Sequence, residues 1–302
     1  MKDKLLDPAE SILLYGTTPP RSGIAEDQIA AAAEKLAARL RGLPLDAVVV
    51  YDIQDETGRT QLARPFPFIG TVDPRHYSAR LMERTGLPAI TYKALGNMDE
   101  SGWRRWLSES KDLEFISVVG RPSGARYALP LSRAIRIAAD AERFTIGGVV
   151  IAERHTAQRS EAARLLAKGI EGCAYFISQT VYSAPPTQQL LRDYLRDCRG
   201  AGSEPRRVVL TFAPCGRGKT LAFLRWLGVN VAPDTERAIF GAAAPLAKSI
   251  EICCDNLRRI LDAPYAGEIP LGVNVESVSI NRDEIDASID LFHALREVLA
   301  GK

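Results

Sequence analysis

The sequence of 302 residues has little of what marks several large protein classes. Aromatic residues make up 7% of it, histidine occurs three times, and the five cysteines form no CxxC pair. An odd number of cysteines in a chain of this length argues against a disulfide scaffold, and the shortage of histidine argues against a structural zinc site. We therefore expect a reducing compartment and no bound metal.

Neither sign of charge dominates, because 39 Lys and Arg residues face 37 Asp and Glu residues, for a net charge of +2. No long basic run is present to neutralise a nucleic acid or an anionic membrane. Asp3, Asp7 and Glu10 interrupt the start of the chain, unlike a signal peptide, and no apolar run reaches membrane-spanning length. The sequence therefore predicts a cytoplasmic protein whose partner is a small molecule.

Apolar residues are abundant, at 46%, and they alternate between two hydrophobic periods along nearly the whole chain. Most of the β-rich runs are almost continuously apolar, which is typical of parallel strands covered by helices. Helical patterns separate these runs, most clearly at 26–42 and 283–300. The predicted strands are 12–18, 47–52, 89–94, 115–120, 144–152, 174–179, 208–213 and 272–279.

The fold class follows from the repetition of strand-then-helix units, which implies right-handed crossovers and a parallel sheet. Eight units in 302 residues have the number and size of a (β/α)8 TIM barrel, with a doubly wound open sheet as the alternative. We expect a single barrel domain over 1–302, with a helical insertion before the last strand that contains helices at 235–240 and 244–261. Chemistry in such a barrel occurs in the loops that follow the strands.

Residues 213–220, Ala-Pro-Cys-Gly-Arg-Gly-Lys-Thr, follow a predicted strand and resemble a phosphate-binding P-loop with Ala in place of the first Gly. Such a loop binds phosphates on backbone N–H groups, with Lys on the terminal phosphate and Thr on magnesium. However, a P-loop domain normally opens with this unit, and no later strand ends in an Asp that would hold magnesium. A βα turn of the barrel is the favoured interpretation, and a P-loop nucleotide hydrolase remains a remote alternative.

A series of motifs follows the order and spacing of a known family. The matching residues are Thr-Pro-Pro-Arg at 18–21, Glu-Arg-His at 153–155, Glu161, Lys168, a strand that ends at Gln179, a helix that contains Phe223, and Ser-Ile-Asn-Arg at 279–282. This series resembles methylenetetrahydrofolate reductase, and the spacing agrees closely from Glu161 to Arg282. The second and third units match poorly.

The resemblance implies a flavin-dependent barrel enzyme of one-carbon metabolism. Hydride would pass from a reduced nicotinamide, NADH or NADPH, to FAD and then to 5,10-methylenetetrahydrofolate, giving 5-methyltetrahydrofolate. By this resemblance Gln179 would hydrogen-bond the pterin, Phe223 would stack on the folate or nicotinamide ring, and Arg282 would hold the folate. The residues that fall where the family binds FAD are His155, Glu161 and Lys168.

Several of these residues also have a purely structural interpretation. Gln179 at a strand end can act as a cap, Phe223 in an apolar helix can be a core residue, and Lys168 on a helix can be a solvated surface lysine. Arg282 begins a helix, where a cation meets the positive end of the helix dipole, and this position favours an anionic ligand beside it.

Two carboxylates of the family pattern are missing from this sequence. Gly16 stands where the family has the glutamate that acts as an acid, and Arg121 stands where the family's Arg-Gly-Asp motif has its aspartate. A general acid typically contributes 10²–10⁴-fold to the rate, so another group would have to replace the glutamate. Arg121 is suited to a folate carboxylate or a cofactor phosphate, because a guanidinium binds such anions bidentately.

Four acids are candidates to replace the missing glutamate on the catalytic face: Asp52, Asp55, Glu56 and Glu276. Asp52 is the first choice because it ends the second strand, although capping the following loop is an equal alternative for it.

The leading hypothesis is a divergent methylenetetrahydrofolate reductase, with FAD retained or lost. The alternative is a folate- or flavin-binding protein, or a one-carbon transferase, on the same barrel without this redox step. The oligomeric state, including a homo-oligomer, stays open.

Overall fold

Eight parallel strands close into a barrel in chain order, with β8 pairing back onto β1. The computed structural model describes residues 1–55, 60–120 and 128–301. The (β/α)8 prediction is confirmed, and the open doubly wound sheet is wrong. The strands are β1 (Ile12–Thr17), β2 (Ala47–Val50), β3 (Ala89–Ala94), β4 (Phe115–Val119), β5 (Thr145–Val150), β6 (Cys173–Thr180), β7 (Arg207–Phe212) and β8 (Leu271–Glu276).

Helices follow the strands on the outside of the barrel, and the predicted helical insertion is present as α9 and α10 between β7 and β8. None of the described helices combines the length and the apolar character needed to cross a membrane. The described α-helices are α1 (Lys2–Leu6), α2 (Glu26–Leu40), α3 (Pro74–Thr85), α4 (Glu100–Glu109), α5 (Leu131–Ala139), α6 (Glu161–Glu171), α7 (Ala184–Gly200), α8 (Gly218–Trp226), α9 (Pro233–Phe240), α10 (Pro245–Leu261) and α11 (Arg282–Ala300).

Successive residues of each strand alternate between two apolar layers, because strand side chains point to opposite faces. On β1, Ile12 and Leu14 belong to the cluster that fills the barrel interior. Tyr15 belongs to the larger cluster between the strands and the helices. The parity of a residue on its strand therefore decides whether its side chain faces the interior, where a ligand would bind.

The N-terminal end of the barrel is closed by α1 and by Arg207 of β7. Leu5 lies in the interior cluster, and the Arg207 side chain donates to the carbonyl oxygens of Leu5, at 2.7 Å, and of Leu271, at 2.8 Å. Arg207 also donates to the Asp7 carbonyl. These hydrogen bonds to backbone carbonyls close the N-terminal end of the barrel. The polar side chains described below lie at the other end, the C-terminal mouth.

Residues 60–73, the described chain that leads into α3, lie at the C-terminal mouth and are here called the crossing segment. Its end is fixed to the turn after β1, because Ser22 N donates to Gly70 O and Val72 N donates to Pro20 O. Its Phe66 ring contacts the Phe223 ring of α8 edge to face, at 5.4 Å between centroids. The crossing segment therefore contacts both the turn after β1 and α8, which follows β7.

Candidate functional site

Five side chains form a hydrogen-bonded group inside the mouth, here called the mouth cluster: Tyr51, Thr180, Thr211, Asn274 and Glu276. Asn274 Nδ2 donates to Tyr51 Oη at 2.9 Å and to Thr211 Oγ1 at 3.2 Å. Thr180 Oγ1 donates to Glu276 Oε1 at 2.9 Å. The cluster links residues at the ends of β2, β6, β7 and β8 into one polar surface above the apolar interior.

Glu276 is the acid of this cluster, and its surroundings favour the protonated form. Burial raises the pKa of the Glu276 carboxyl, and the hydrogen bonds from Tyr51 and Thr180 only partly oppose that shift. Because its pKa is raised, Glu276 keeps its proton to a higher pH than an exposed glutamate. A carboxyl with a raised pKa is better suited than an exposed glutamate to donate a proton.

Gly16 lies beside this acid on the neighbouring strand. The register of β1 and β8 pairs Gly16 directly with Glu276. A Cβ atom on Gly16 would come within 2.5 Å of Tyr51 Oη, so the tyrosine leaves no room for a side chain there. At this level of the barrel the carboxylate is therefore carried by β8 and not by β1.

Gln179, predicted at the end of a strand, lies near the end of β6 at the mouth. Its Nε2 donates to Leu227 O, just past the end of α8, at 2.6 Å. Only the amide nitrogen can donate to a carbonyl, so Oε1 faces the other way, and it is buried without a hydrogen-bond partner among the described residues. Asn274 Oδ1 is likewise buried and unpartnered within the described chain. The mouth thus contains two buried acceptors.

Phe223 is neither a simple core residue nor freely exposed. Its ring stacks on Trp226 at 5.8 Å and meets Phe66 of the crossing segment edge to face. The ring belongs to an aromatic layer between α8 and that segment, at the rim of the mouth.

Asp52 holds the end of β3 in place. Its Oδ2 accepts from Ala94 N at 2.9 Å, and its Oδ1 accepts from Gln54 Nε2 at 2.8 Å. Lys93 Nζ lies 3.4 Å from Oδ2, and the Asp52 side chain is 6% exposed. This geometry fits the capping interpretation of Asp52, and Glu276 is the candidate acid that the mouth cluster contains. Glu56 and Arg121 lie outside the described residues.

The residues matched to FAD binding have protein partners. Glu161 N donates to His155 Nδ1 at 3.2 Å, so the proton of the neutral ring is on Nε2, which donates to Asp193 Oδ2 at 2.8 Å. Lys168 Nζ donates to Val149 O at 2.7 Å, and burial lowers the pKa of Lys168. Glu161 itself is 3% exposed. These contacts tie α6 to β5 and α7.

Arg282 is the first residue of α11, and its side chain is 88% exposed. Its ion-pair partner in the described structure is Asp286, at 3.5 Å. The helix start is stabilised by other groups, because Asn281 Oδ1 accepts from the N–H groups of Asp283 and Glu284. The structure therefore does not bring Arg282 into the mouth cluster.

The P-loop-like segment holds a carboxylate of the protein. Glu284, which is 0% exposed, accepts from Gly216 N at 3.0 Å through Oε1 and from Thr220 Oγ1 at 2.7 Å through Oε2. In a P-loop the corresponding N–H would donate to phosphate and the threonine hydroxyl oxygen would coordinate magnesium. Because they already bind Glu284, the segment is a buried link between α8 and α11, which argues against nucleotide hydrolysis.

Comparison with known proteins shows which proteins this barrel is similar to. No protein-family model and no curated protein matches the sequence. An uncharacterized protein from Clostridium thermocellum, solved with two copies of 5-methyl-5,6,7,8-tetrahydrofolic acid, is similar over 99% of both chains, with a TM-score of 0.84 and 31% identity. The spore cortex-lytic enzyme SleL of Bacillus cereus covers 94% of this chain and 74% of its own, with a TM-score of 0.51 and 11% identity, which shows the fold alone.

Fold and site together define a (β/α)8 barrel with a cluster of polar side chains at its C-terminal mouth. The likeness to the Clostridium thermocellum protein is close and complete enough to define a family, and this chain belongs to the family of that barrel protein.

Sequence reasoning missed Tyr51 and Asn274. Asn274 is a polar residue within the apolar run of β8, two positions before Glu276, so both side chains face the same side of the strand. That shared parity was the available signal. No comparable sequence signal marks Tyr51, because its role depends on contacts with strands that are distant in the chain.

Glu284→Ala should lower the free energy of unfolding by roughly 2–5 kcal/mol, because it leaves the Gly216 N–H and the Thr220 hydroxyl buried without an acceptor. Urea unfolding measures this loss. Asp290→Ala, at an exposed acid of the same helix, should stay within about 0.5 kcal/mol of the wild type. Equal stability of the Glu284 variant, or magnesium-dependent ATP binding by the wild type, would contradict the assignment of a structural link.

Proposed function

We propose that the barrel mouth binds a reduced folate and interconverts 5,10-methylenetetrahydrofolate and 5-methyltetrahydrofolate, as a divergent methylenetetrahydrofolate reductase with a nicotinamide as its hydride partner. The observation that carries the proposal is the half-buried carboxyl of Glu276, which is in register with Gly16, the position where the resembled family has its acid. Binding of 5-methyltetrahydrofolate by the Clostridium thermocellum relative supports the folate part. By the same relationship we propose that this chain also binds two copies.

Recognition of the pterin would use the two unpartnered amide oxygens. A pterin presents N–H donors along one edge of its ring, and Gln179 Oε1 and Asn274 Oδ1 are buried acceptors without donors in the described chain. A buried acceptor that lacks a donor costs about 1–3 kcal/mol, so a ligand that supplies the donor recovers that cost. The aromatic layer around Phe223 gives a flat ligand an apolar wall at the rim.

Glu276 would act as the general acid in the reductive direction. In 5,10-methylenetetrahydrofolate one carbon bridges N5 and N10. A proton from Glu276 to N10 lets the bond between N10 and that carbon break, which leaves an iminium at N5. Hydride from the reduced nicotinamide then adds to the same carbon and completes the methyl group, and the nicotinamide leaves oxidised. Thr180 and Tyr51 hold the carboxyl in place for the proton transfer.

FAD, which the resemblance implies, finds no fit at the residues matched to it. Lys168 Nζ donates to the Val149 carbonyl, and both ring nitrogens of His155 have protein partners. Glu161 is buried beside them. As placed, these three side chains do not offer a phosphate and ribose site, so we derive no step through a flavin.

A second candidate function is a folate-binding protein or one-carbon transferase without the redox step. The observation that favours it is that the Clostridium thermocellum relative binds two copies of the methylated folate. The two candidates differ in turnover, since only a reductase oxidises NADH or NADPH when 5,10-methylenetetrahydrofolate is added under anaerobic conditions.

Gln179→Ala should weaken 5-methyltetrahydrofolate binding about 3–10-fold, the value of one neutral hydrogen bond. Isothermal titration calorimetry measures the change. Gln188→Ala is a matched control, because Gln188 Nε2 likewise donates to a backbone carbonyl, that of Arg259, but on the exposed side of α7. Equal affinities of all three proteins would remove Gln179 from the site.

Glu276→Gln should lower the rate of methylene reduction by about 10²–10⁴-fold, the usual contribution of a general acid, and change 5-methyltetrahydrofolate affinity little. The wild-type rate should fall as pH rises through the raised pKa of Glu276, because only the protonated carboxyl donates, and the variant should lack this dependence. Anaerobic assays of nicotinamide oxidation between pH 5 and pH 9 measure both effects.

Glu10→Gln, at the opposite end of the barrel, is the control for the loss of one acid and should retain the wild-type profile. A larger loss of rate in Asp52→Asn than in Glu276→Gln would return the acid role to Asp52.

A further inference from the structure

Arg64, in the segment that crosses the mouth, lies in an aromatic cage. Its guanidinium carbon is 4.6 Å from the centroid of the Trp226 ring, 5.3 Å from that of Phe68 and 5.8 Å from that of Phe223. The rings come from both the crossing segment and α8, so they hold the guanidinium at the junction of the two.

The cage buries polar atoms of Arg64 without satisfying them. Among the described residues, Nε and Nη1 are buried without a hydrogen-bond partner, and no carboxylate forms an ion pair with this guanidinium. Aromatic rings attract the cation through their π faces, but they provide no hydrogen-bond acceptor for its buried N–H groups. The guanidinium is therefore poised for an anion that the described chain does not supply.

A second cation lies close by. Lys219 Nζ is 4.5 Å from the centroid of Phe66, which in turn contacts Phe223. Lys219 is exposed and, like Arg64, has no carboxylate partner in the described structure. Two cations without counter-charges thus flank the aromatic layer at the rim.

The cage also lies next to the proposed pterin site. Phe223 lies in the last turn of α8 and Leu227 directly follows that helix, four residues or about 6 Å further along, where its carbonyl accepts from Gln179. A ligand whose pterin meets Gln179 would extend its remaining groups along the aromatic layer toward Arg64.

We propose that Arg64 binds a carboxylate of the folate's glutamate tail; this inference rests on the proposed function. Tetrahydrofolate joins its pterin to an aromatic benzoyl ring and then to a glutamate, which matches the order of Gln179, the aromatic layer and Arg64. The guanidinium offers directed donors to a carboxylate, and Lys219 adds positive charge beside it. Arg282, matched to folate binding by resemblance, is 88% exposed and pairs with Asp286, so it leaves this role open.

The test compares two ligands on the full chain: 5-methyltetrahydrofolate and a tetrahydropterin that lacks the benzoylglutamate tail. Arg64→Gln should weaken binding of the folate about 10–100-fold, as expected for loss of a charged hydrogen bond, and leave binding of the pterin unchanged. Arg64→Lys, which keeps the charge but not the planar fork, should give an intermediate loss. Calorimetry measures affinity, and thermal unfolding followed by circular dichroism checks that each variant is folded.

Arg258→Gln is the matched control, since it removes an exposed arginine of α10 that pairs with Asp255. Equal weakening of both ligands by Arg64→Gln would show that Arg64 only shapes the segment, and would overturn the proposal. Loss of folate selectivity in Arg282→Gln but not in Arg64→Gln would overturn it as well. A wild type that binds folate no better than pterin would refute only the tail site. A wild type that binds neither ligand would refute the proposed function itself.

Discussion

The position of the Tyr51 side chain is the constraint on which the barrel mouth depends. Its hydroxyl accepts from Asn274 and contacts Glu276, and its ring meets Tyr92 edge to face at 5.0 Å. The same hydroxyl lies where a Cβ on Gly16 would have to go, 2.5 Å away. One aromatic residue therefore excludes an acid from β1 and supports an acid on β8. Burial then raises the pKa of that acid, which favours its role as a proton donor.

Two segments of the chain carry hydrogen-bond donors that could bind an anion, but the donors are satisfied by the protein in only one of them. Gly216 and Thr220 resemble a phosphate-binding loop, yet their donors bind the buried Glu284 and fix α11 to α8. Arg64 looks like an ordinary loop arginine, yet its buried donors lack any acceptor in the described chain. Whether an anion site is free for a ligand depends on the surrounding structure, because the same groups can be satisfied by a distant side chain.

Much of the fold could be predicted from sequence, because each strand is an apolar run bounded by turn residues and each helix has a separate period. The strand predicted at 89–94 has the same bounds as β3, and the other strand bounds differ mostly by one or two residues. The site was harder to predict than the fold. Gln179 and Asp52 each ended a predicted strand, but in the structure Asp52 lies two residues beyond β2 and accepts from the backbone of β3. Glu276 was one of four candidate acids, and preferring it to Asp52 required the register of β1 and β8. Arg64 could not be singled out, because its surroundings depend on contacts between the crossing segment and α8.

The most direct measurement is a crystal structure of the chain grown with 5-methyltetrahydrofolate. Our account predicts a pterin ring in the mouth, with an N–H donor about 3 Å from Gln179 Oε1 and the carboxyl of Glu276 facing the N5 and N10 side of the folate. A folate bound only outside the barrel mouth, or a pterin turned with N5 and N10 away from Glu276, would contradict it.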